Sequence, residues 1–212
     1  MFTNCHTHYS NKLDFEVKQE ELNCLKSCFH SIGIHPWNSV EFDEKEVKEI
    51  LKKSINEKTV AIGECGLDGL KGPDFLIQTP IFEKQIELSE ELCLPLIIHC
   101  VKGWNELAVL KKKHNPQQSW VFHGFSKFGI LNQVISSGMM ISLGAGIINH
   151  QKRKEMVEQI PIHQLLLETD DVKIEIKEIY EVVAELKKIS LHELQNQVNT
   201  NFKNTFTKWQ IG

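Results

Sequence analysis

The chain has 212 residues, 41% hydrophobic and 25% charged, with a formal net charge of −4. That balance excludes a disordered chain, and no apolar stretch approaches the ~18 residues of a membrane span. It also excludes a broad nucleic-acid-binding face, which shows as Lys and Arg clustered on a basic domain. Here the 24 basic residues include a single arginine, Arg153. Any nucleic-acid contact is therefore expected to be local, at a site.

The length suits one α/β domain over residues 1–212, with no need of disulfide staples. Cys5, Cys65, Cys93 and Cys100 lie in or beside apolar runs and read as small buried hydrophobes. Cys24 and Cys28 are too lone a pair for a zinc site. The N-terminus has no basic region followed by an apolar core, so a cytoplasmic protein is expected.

Taken in chain order, short β-prone runs cover residues 1–5, 29–34, 59–63, 96–99, 119–122, 140–143 and 165–167. Amphipathic segments separate them. Phe82, Ile86, Leu88 and Leu92 follow helical spacing, as do Leu107, Leu110 and Lys111, and so do segments 176–189 and 191–206. Strands alternating with helices of 10–15 residues predict a parallel sheet. Either a (β/α) barrel or an open doubly wound sheet satisfies that alternation.

The strand ends favour the barrel. Successive runs end in His6-Thr7-His8, in His35, in Glu64, in His99, in His123 and in Glu168-Thr169-Asp170. In a parallel barrel all these ends meet at one face, where barrel active sites lie. Imidazoles with carboxylates suit divalent metals such as zinc or manganese. His6 and His8 are two apart, so on a strand both rings point to the same side. Any one of these histidines alone reads as a core or surface residue, and Glu168-Thr169-Asp170 alone reads as a helix start with Thr169 or Asp170 as cap. Their joint placement makes a metal site. His30, His114, His150, His163 and His192 fall in helical or loop contexts and read as structural or exposed. Lys111 to Lys113 read as a solvated helix end, and Gly144 and Gly146 carry no phosphate-loop signature.

In this order the elements His6-x-His8, Gly33-Ile34-His35-Pro36, Gly63-Glu64-Cys65-Gly66-Leu67-Asp68, Leu94-Pro95-Leu96-Ile97-Ile98-His99, Phe122-His123-Gly124-Phe125 and Leu167-Glu168-Thr169-Asp170 resemble the TatD-type metal-dependent hydrolases of the amidohydrolase-like barrels. Asn201-Phe202 with Phe206 resembles that family's last helix. The resemblance implies a TIM-type (β/α) barrel with one or two divalent ions, Mg, Mn or Zn. It places His6, His8 and Asp170 on one ion and His99 and His123 on another, with Glu64 bridging. It implies phosphodiester hydrolysis on DNA, exonuclease-like, with Asp170 and Glu64 as catalytic residues. Amide or ester hydrolysis (for instance of an aminoacyl ester) on the same barrel is the alternative. A metal-binding scaffold without turnover is a third reading, which the intact ligand set disfavours. The expected partner is a nucleic-acid end or a small phosphodiester or ester, with no membrane.

Three departures from the family stand out. Asn4 replaces an Asp two residues before His6. Lys102 stands where the family often has Arg, so a phosphate contact there falls to a point charge; His35 is the other expected substrate contact. The segment 9–28 is short, with room for one vestigial strand at 13–17 and one helix. The barrel is therefore expected to be incomplete or distorted between the first strand and the Gly33-Ile34-His35-Pro36 strand.

Overall fold

The structure, a computed structural model, describes residues 1–9, 16–20 and 28–208. In chain order it runs β1 (Asn4–Thr7), β2 (Glu16–Glu20), β3 (His30–Ile32), α1 (Val47–Ser54), β4 (Thr59–Asp68), α2 (Phe75–Leu92), β5 (Leu96–Val101), α3 (Trp104–His114), β6 (Trp120–Phe122), α4 (Leu131–Ser136), β7 (Met140–Leu143), α5 (Gln151–Gln159), β8 (Leu165–Leu167), α6 (Ile176–Lys187) and α7 (Leu191–Thr205). The strands hydrogen-bond in chain order, β1 to β8, in one sheet. The β1–β2, β3–β4, β4–β5 and β7–β8 pairs are all parallel. This is the TIM-type barrel order.

The seven strands expected from the sequence are eight. The eighth is β2, described over Glu16–Glu20 where the vestigial strand is expected at 13–17 (residues 13–15 lie outside the described residues), and it pairs with β1 through Asn4↔Glu16 and Thr7↔Lys18. It was faint because five polar and apolar residues, Glu-Val-Lys-Gln-Glu, carry little β signal of their own. The helix expected in 9–28, and Cys24, lie outside the described residues. β8 meets β1 through an isolated parallel bridge, Thr7↔Asp170.

The chain divides into two compact units. The first comprises residues 1–18 and 122–208 of the described chain. Its core holds Ile141, Leu143 and Leu165 to Leu167 from the strands, with Ile179, Val183, Leu194 and Phe202 from the helices. Helix α7 starts with a capping box, in which Ser190 Oγ accepts from the Glu193 N–H and the Glu193 carboxylate accepts from the Ser190 N–H. Its buried Asn201 donates to the carbonyls of Ile162 (2.7 Å) and Leu165 (2.8 Å), tying the helix to the start of β8.

The second unit comprises residues 19–121. Strand β4 is its spine: ten residues, all buried. The sequence reading ended this strand at Gly63, yet it continues to Asp68, so Glu64 is an interior strand position. Gly63 has φ +147°, a conformation open to glycine. A Cβ on Gly33 would stand 2.8 Å from the Gly63 Cα, so the backbones after β3 and within β4 touch directly. Helix α2 is capped by Asp74, which accepts from the Leu76 N–H at 2.8 Å, and ends at Cys93 in the left-handed region.

Three sequence expectations are corrected here. His30 is not in a loop or helix: it is buried in β3, with Nε2 2.9 Å from Thr59 Oγ1. Cys93 is exposed, because it caps the end of α2 in the left-handed region rather than lying on the helix's buried face. Lys111 is only half-solvated, its ammonium lying over the Trp120 ring at 5.0 Å, while Lys112 and Lys113 are exposed as expected. Among the described residues Cys5, Cys28, Cys65, Cys93 and Cys100 are free, and no helix is long and apolar enough to cross a membrane.

Candidate metal centre

In the first unit the site starts with strand periodicity. His6 lies in β1 and His8 just beyond it, and both Nε2 atoms face one carboxylate oxygen. Asp170 Oδ1 is 3.5 Å from His6 Nε2 and 3.6 Å from His8 Nε2. The backbone puts it there. The His8 N–H donates to the Asp170 carbonyl (3.0 Å), and the Asp170 N–H donates to the His6 carbonyl (3.1 Å). Asp170 takes φ +54°, and no helix starts at Thr169 or Asp170, since the next one, α6, begins at Ile176 with Glu175 before it. Aspartate tolerates that region better than most residues, and such strain clusters at functional sites.

Neighbouring polar groups hold this turn. Buried Asn4 uses both ends of its amide on Thr169: Nδ2 donates to Oγ1 (2.9 Å), and Oδ1 accepts from the N–H (3.1 Å). An Asp there would need the Thr169 hydroxyl turned to donate, whereas the Asn4 amide leaves it free to donate to Thr7 Oγ1 (2.9 Å). Glu168, fully buried, accepts from the Gly124 N–H (2.6 Å) and from Ser142 Oγ (2.5 Å). Its Oε1 lies 3.6 Å from His123 Nδ1, and the His123 ring stands 4.6 Å from that of His6. Donor atoms of His123, Glu168 and Asp170 converge within 4.8 Å, as do those of His6, His8 and Asp170.

In the second unit Glu64, His99 and His35 converge in the same way. His99 Nε2 is 2.9 Å from Asp68 Oδ2, and its Nδ1 is 3.1 Å from Glu64 Oε1. His35 Nε2 is 3.4 Å from the same Glu64 oxygen. Burial pushes the Asp68 carboxyl up, but hydrogen bonds from Trp37 Nε1, the Leu70 N–H, His99 and the Lys71 N–H outweigh it and hold Asp68 below the usual carboxylate range. An ionised Asp68 takes the imidazole N–H at Nε2. The Nδ1 lone pair then faces the Glu64 carboxylate, an arrangement in which a cation can sit between them. Carboxylate orientation of a ligating imidazole is common at metal sites. Burial, with the charge of Glu64, pushes the adjacent Cys65 thiol well up, and burial pushes Cys100 up to about 12.

Both sets fit a divalent ion. Two donors ~2.1 Å from a tetrahedral cation stand about 3.4 Å apart, which is the spacing of Asp170 from the two histidines. Imidazole with carboxylate suits zinc and manganese alike.

The structure thus groups His6, His8, Asp170 and His123 in one unit, and Glu64, His99 and His35 in the other. Lys102 follows β5, exposed, with φ +54°. Two residues were missed as site members. Asp68 orients His99, and the signal was available: positions 64 and 68 have the same parity on a strand. Glu168 lines up His123 and Gly124, and its signal was weaker because its neighbour Asp170 drew the reading.

A (β/α) barrel carrying imidazole–carboxylate clusters along its strands defines the class of barrel metal hydrolases. The chain belongs to the TatD related DNase family, whose model matches residues 1–207. It is 29% identical over 197 residues to a protein of Bacillus subtilis described as an uncharacterized metal-dependent hydrolase, YabD, covering 84% of this chain and 77% of that one. It is 30% identical over 151 residues to the 3'-5' ssDNA/RNA exonuclease TatD of Erwinia amylovora, covering 68% of this chain and 58% of that one. The chain thus matches little more than half the length of that exonuclease. Among solved structures, the TatD homologue YJJV of Escherichia coli superposes with a TM-score of 0.72 at 24% identity, over 84% of this chain and 76% of that one. A TatD family hydrolase of Entamoeba histolytica gives the same TM-score at 23% identity, over 92% and 75%.

Proposed function

We propose that the chain is a divalent-metal-dependent phosphodiesterase acting on single-stranded nucleic-acid ends. The observation that carries this reading is Asp170, pinned by backbone bonds between His6 and His8 with one oxygen facing both rings. Membership of the TatD related DNase family and the likeness to an exonuclease support the substrate class. The mild net negative charge supports an end over a long internal stretch.

In this reading His6, His8 and Asp170 would hold one ion, Glu64 and His99 would offer ligand positions for a second, and His123 would be a further ligand. A divalent ion held by these residues would lower the pKa of a water from ~15.7 to about 7 and would polarise a phosphoryl oxygen. Asp170, with 32% of its side chain exposed, orients the attacking water and takes its proton as the water oxygen bonds to phosphorus. Glu64 is the second catalytic carboxylate. Asp68 keeps the His99 ring turned. The leaving oxygen takes its proton from solvent or from His35, and Lys102 contacts the phosphate as a point charge.

The test is a time course on end-labelled single-stranded DNA with magnesium, manganese or zinc, run beside Asp170→Asn. The expected result is a ladder shortening from one end, slowed by about three or more orders of magnitude in the variant at unchanged circular dichroism. Equal ladders from both proteins would overturn the role of Asp170. No cleavage by protein shown to hold metal would overturn the nucleic-acid reading and turn the search to ester and amide substrates.

A further inference from the structure

Beside Asp170 the first unit has a cavity of about 140 Å³ that the proposed chemistry leaves unused. Its lining includes Gly124, Ser126, Gly146, Arg153, Glu168 and Asp170. Arg153 is the chain's single arginine, in a chain that otherwise uses lysine for every positive charge. It projects from α5, half-buried, onto the turn of residues 145–147. A Cβ built on Gly146 would lie 1.8 Å from Arg153 Nη1 and 3.0 Å from its Cζ. The guanidinium thus occupies the space a side chain at 146 would fill, and Gly146 itself needs no left-handed φ.

The charges around the cavity leave this cation unmatched. Among the described residues no carboxylate forms an ion pair with Arg153. Glu168 lines the same cavity, but its two oxygens accept from the Gly124 N–H and from Ser142 Oγ. Asp170 turns its Oδ1 to His6 and His8. A partly desolvated guanidinium without a carboxylate calls for an anion from outside. Its planar fork matches phosphate oxygens two at a time, which an ammonium cannot do. Ser126 lines the same cavity.

We infer that Arg153, seated on Gly146, binds a backbone phosphate of the nucleic-acid substrate next to the one being cleaved, and so sets how the strand enters the site. This rests on the phosphodiesterase reading above and adds a residue to it. Phosphate contacts of this kind position a strand without reading its sequence.

A single arginine makes the test direct, because its side-chain Nε–H gives one signal in a nitrogen–proton correlation spectrum. Zinc-loaded protein is titrated with a cleavage-resistant phosphorothioate dT tetramer, with the neutral methylphosphonate tetramer, and with inorganic phosphate. The expected result is a saturable shift of the Arg153 signal with the phosphorothioate strand, and none with the neutral one. Arg153→Ala then binds the charged strand roughly tenfold more weakly, the scale of a charge-assisted hydrogen-bond pair, and Arg153→Lys recovers only part of it. Gly146→Val displaces the guanidinium and abolishes the shift at unchanged melting temperature. An Arg153 signal that stays still while the tetramer binds would overturn the inference and leave the hydrolase reading standing. An equal response to inorganic phosphate would also overturn it, in favour of a free-anion site. Failure of the hydrolase reading shows separately, as absent metal-dependent cleavage, whatever Arg153 does.

Discussion

Asp170 sits at φ +54°, a conformation that costs of order 1–3 kcal/mol in an ordinary residue. What holds it there is local: two backbone bonds to the strand that carries His6 and His8, and the amide of Asn4 clamped on Thr169. Asn4→Ala is therefore expected to lower folding stability by about 1–3 kcal/mol, since it strands buried polar groups of Thr169. It should also weaken metal affinity, because the turn bearing Asp170 loosens. Chemical denaturation and a metal titration check the two effects; an unchanged affinity would show that the backbone bridge alone sets Asp170. At this scale much was legible. His6-x-His8 followed from the period of a strand, and the structure places both beside the predicted carboxylate. Asp68 was hidden because its role is to orient an imidazole, which nothing in its own motif announces.

Helix α2 shows what one element contributes to the second unit. Its two buried glutamines stand seven residues apart on one face and bond to site-bearing backbone rather than to other side chains. Gln85 accepts from the Ile34 N–H (2.8 Å) and donates to the Ile34 carbonyl (3.0 Å), next to His35. Gln78 accepts from the Asp68 N–H (2.7 Å) and donates to the Asp68 carbonyl (2.8 Å). Gln78→Met keeps the volume and removes both bonds at Asp68. It is expected to cost about 1–3 kcal/mol by thermal melting. The apolar stripe of α2 was readable from the sequence, but glutamines within it look like surface positions until the backbone they serve is known. The same helix also meets α3 through Glu83, which pairs with Lys113 and with His114 Nε2 at 2.9 Å. Burial pushes Glu83 up, but the hydrogen bonds from Lys113 and His114 outweigh it and hold the carboxyl below its usual range. A lowered native pKa favours folding above the unfolded value, about 4.3 for Glu, and that contribution is lost as pH falls through the native value. Melting temperature should therefore fall less between about pH 6 and pH 3.5 in Glu83→Gln than in the parent. Parallel pH curves would contradict this.

For the whole molecule, the alternation of short apolar runs with amphipathic helices was enough to give a parallel barrel, because strands covered on both faces must be apolar nearly throughout. The eighth strand, β2, escaped that logic: it is five residues long and largely charged, and its place comes from pairing with β1. The clustering of candidate ligands was legible because several strands carry a titratable residue at or near their C-terminal ends, a coincidence that packing alone does not require. The sequence points to Lys102 for a phosphate contact, whereas the proposed role of Arg153 was out of its reach, because it depends on a tertiary approach to Gly146. The claim on which all of this stands is that the His6–His8–Asp170 cluster binds a divalent cation. Calorimetric titration of zinc or manganese into metal-free protein, beside a His6→Ala/His8→Ala double variant, measures it directly. Saturable binding is expected in the parent, with at least one site lost in the variant. Identical isotherms for the two proteins, or no binding by the folded parent, would contradict it.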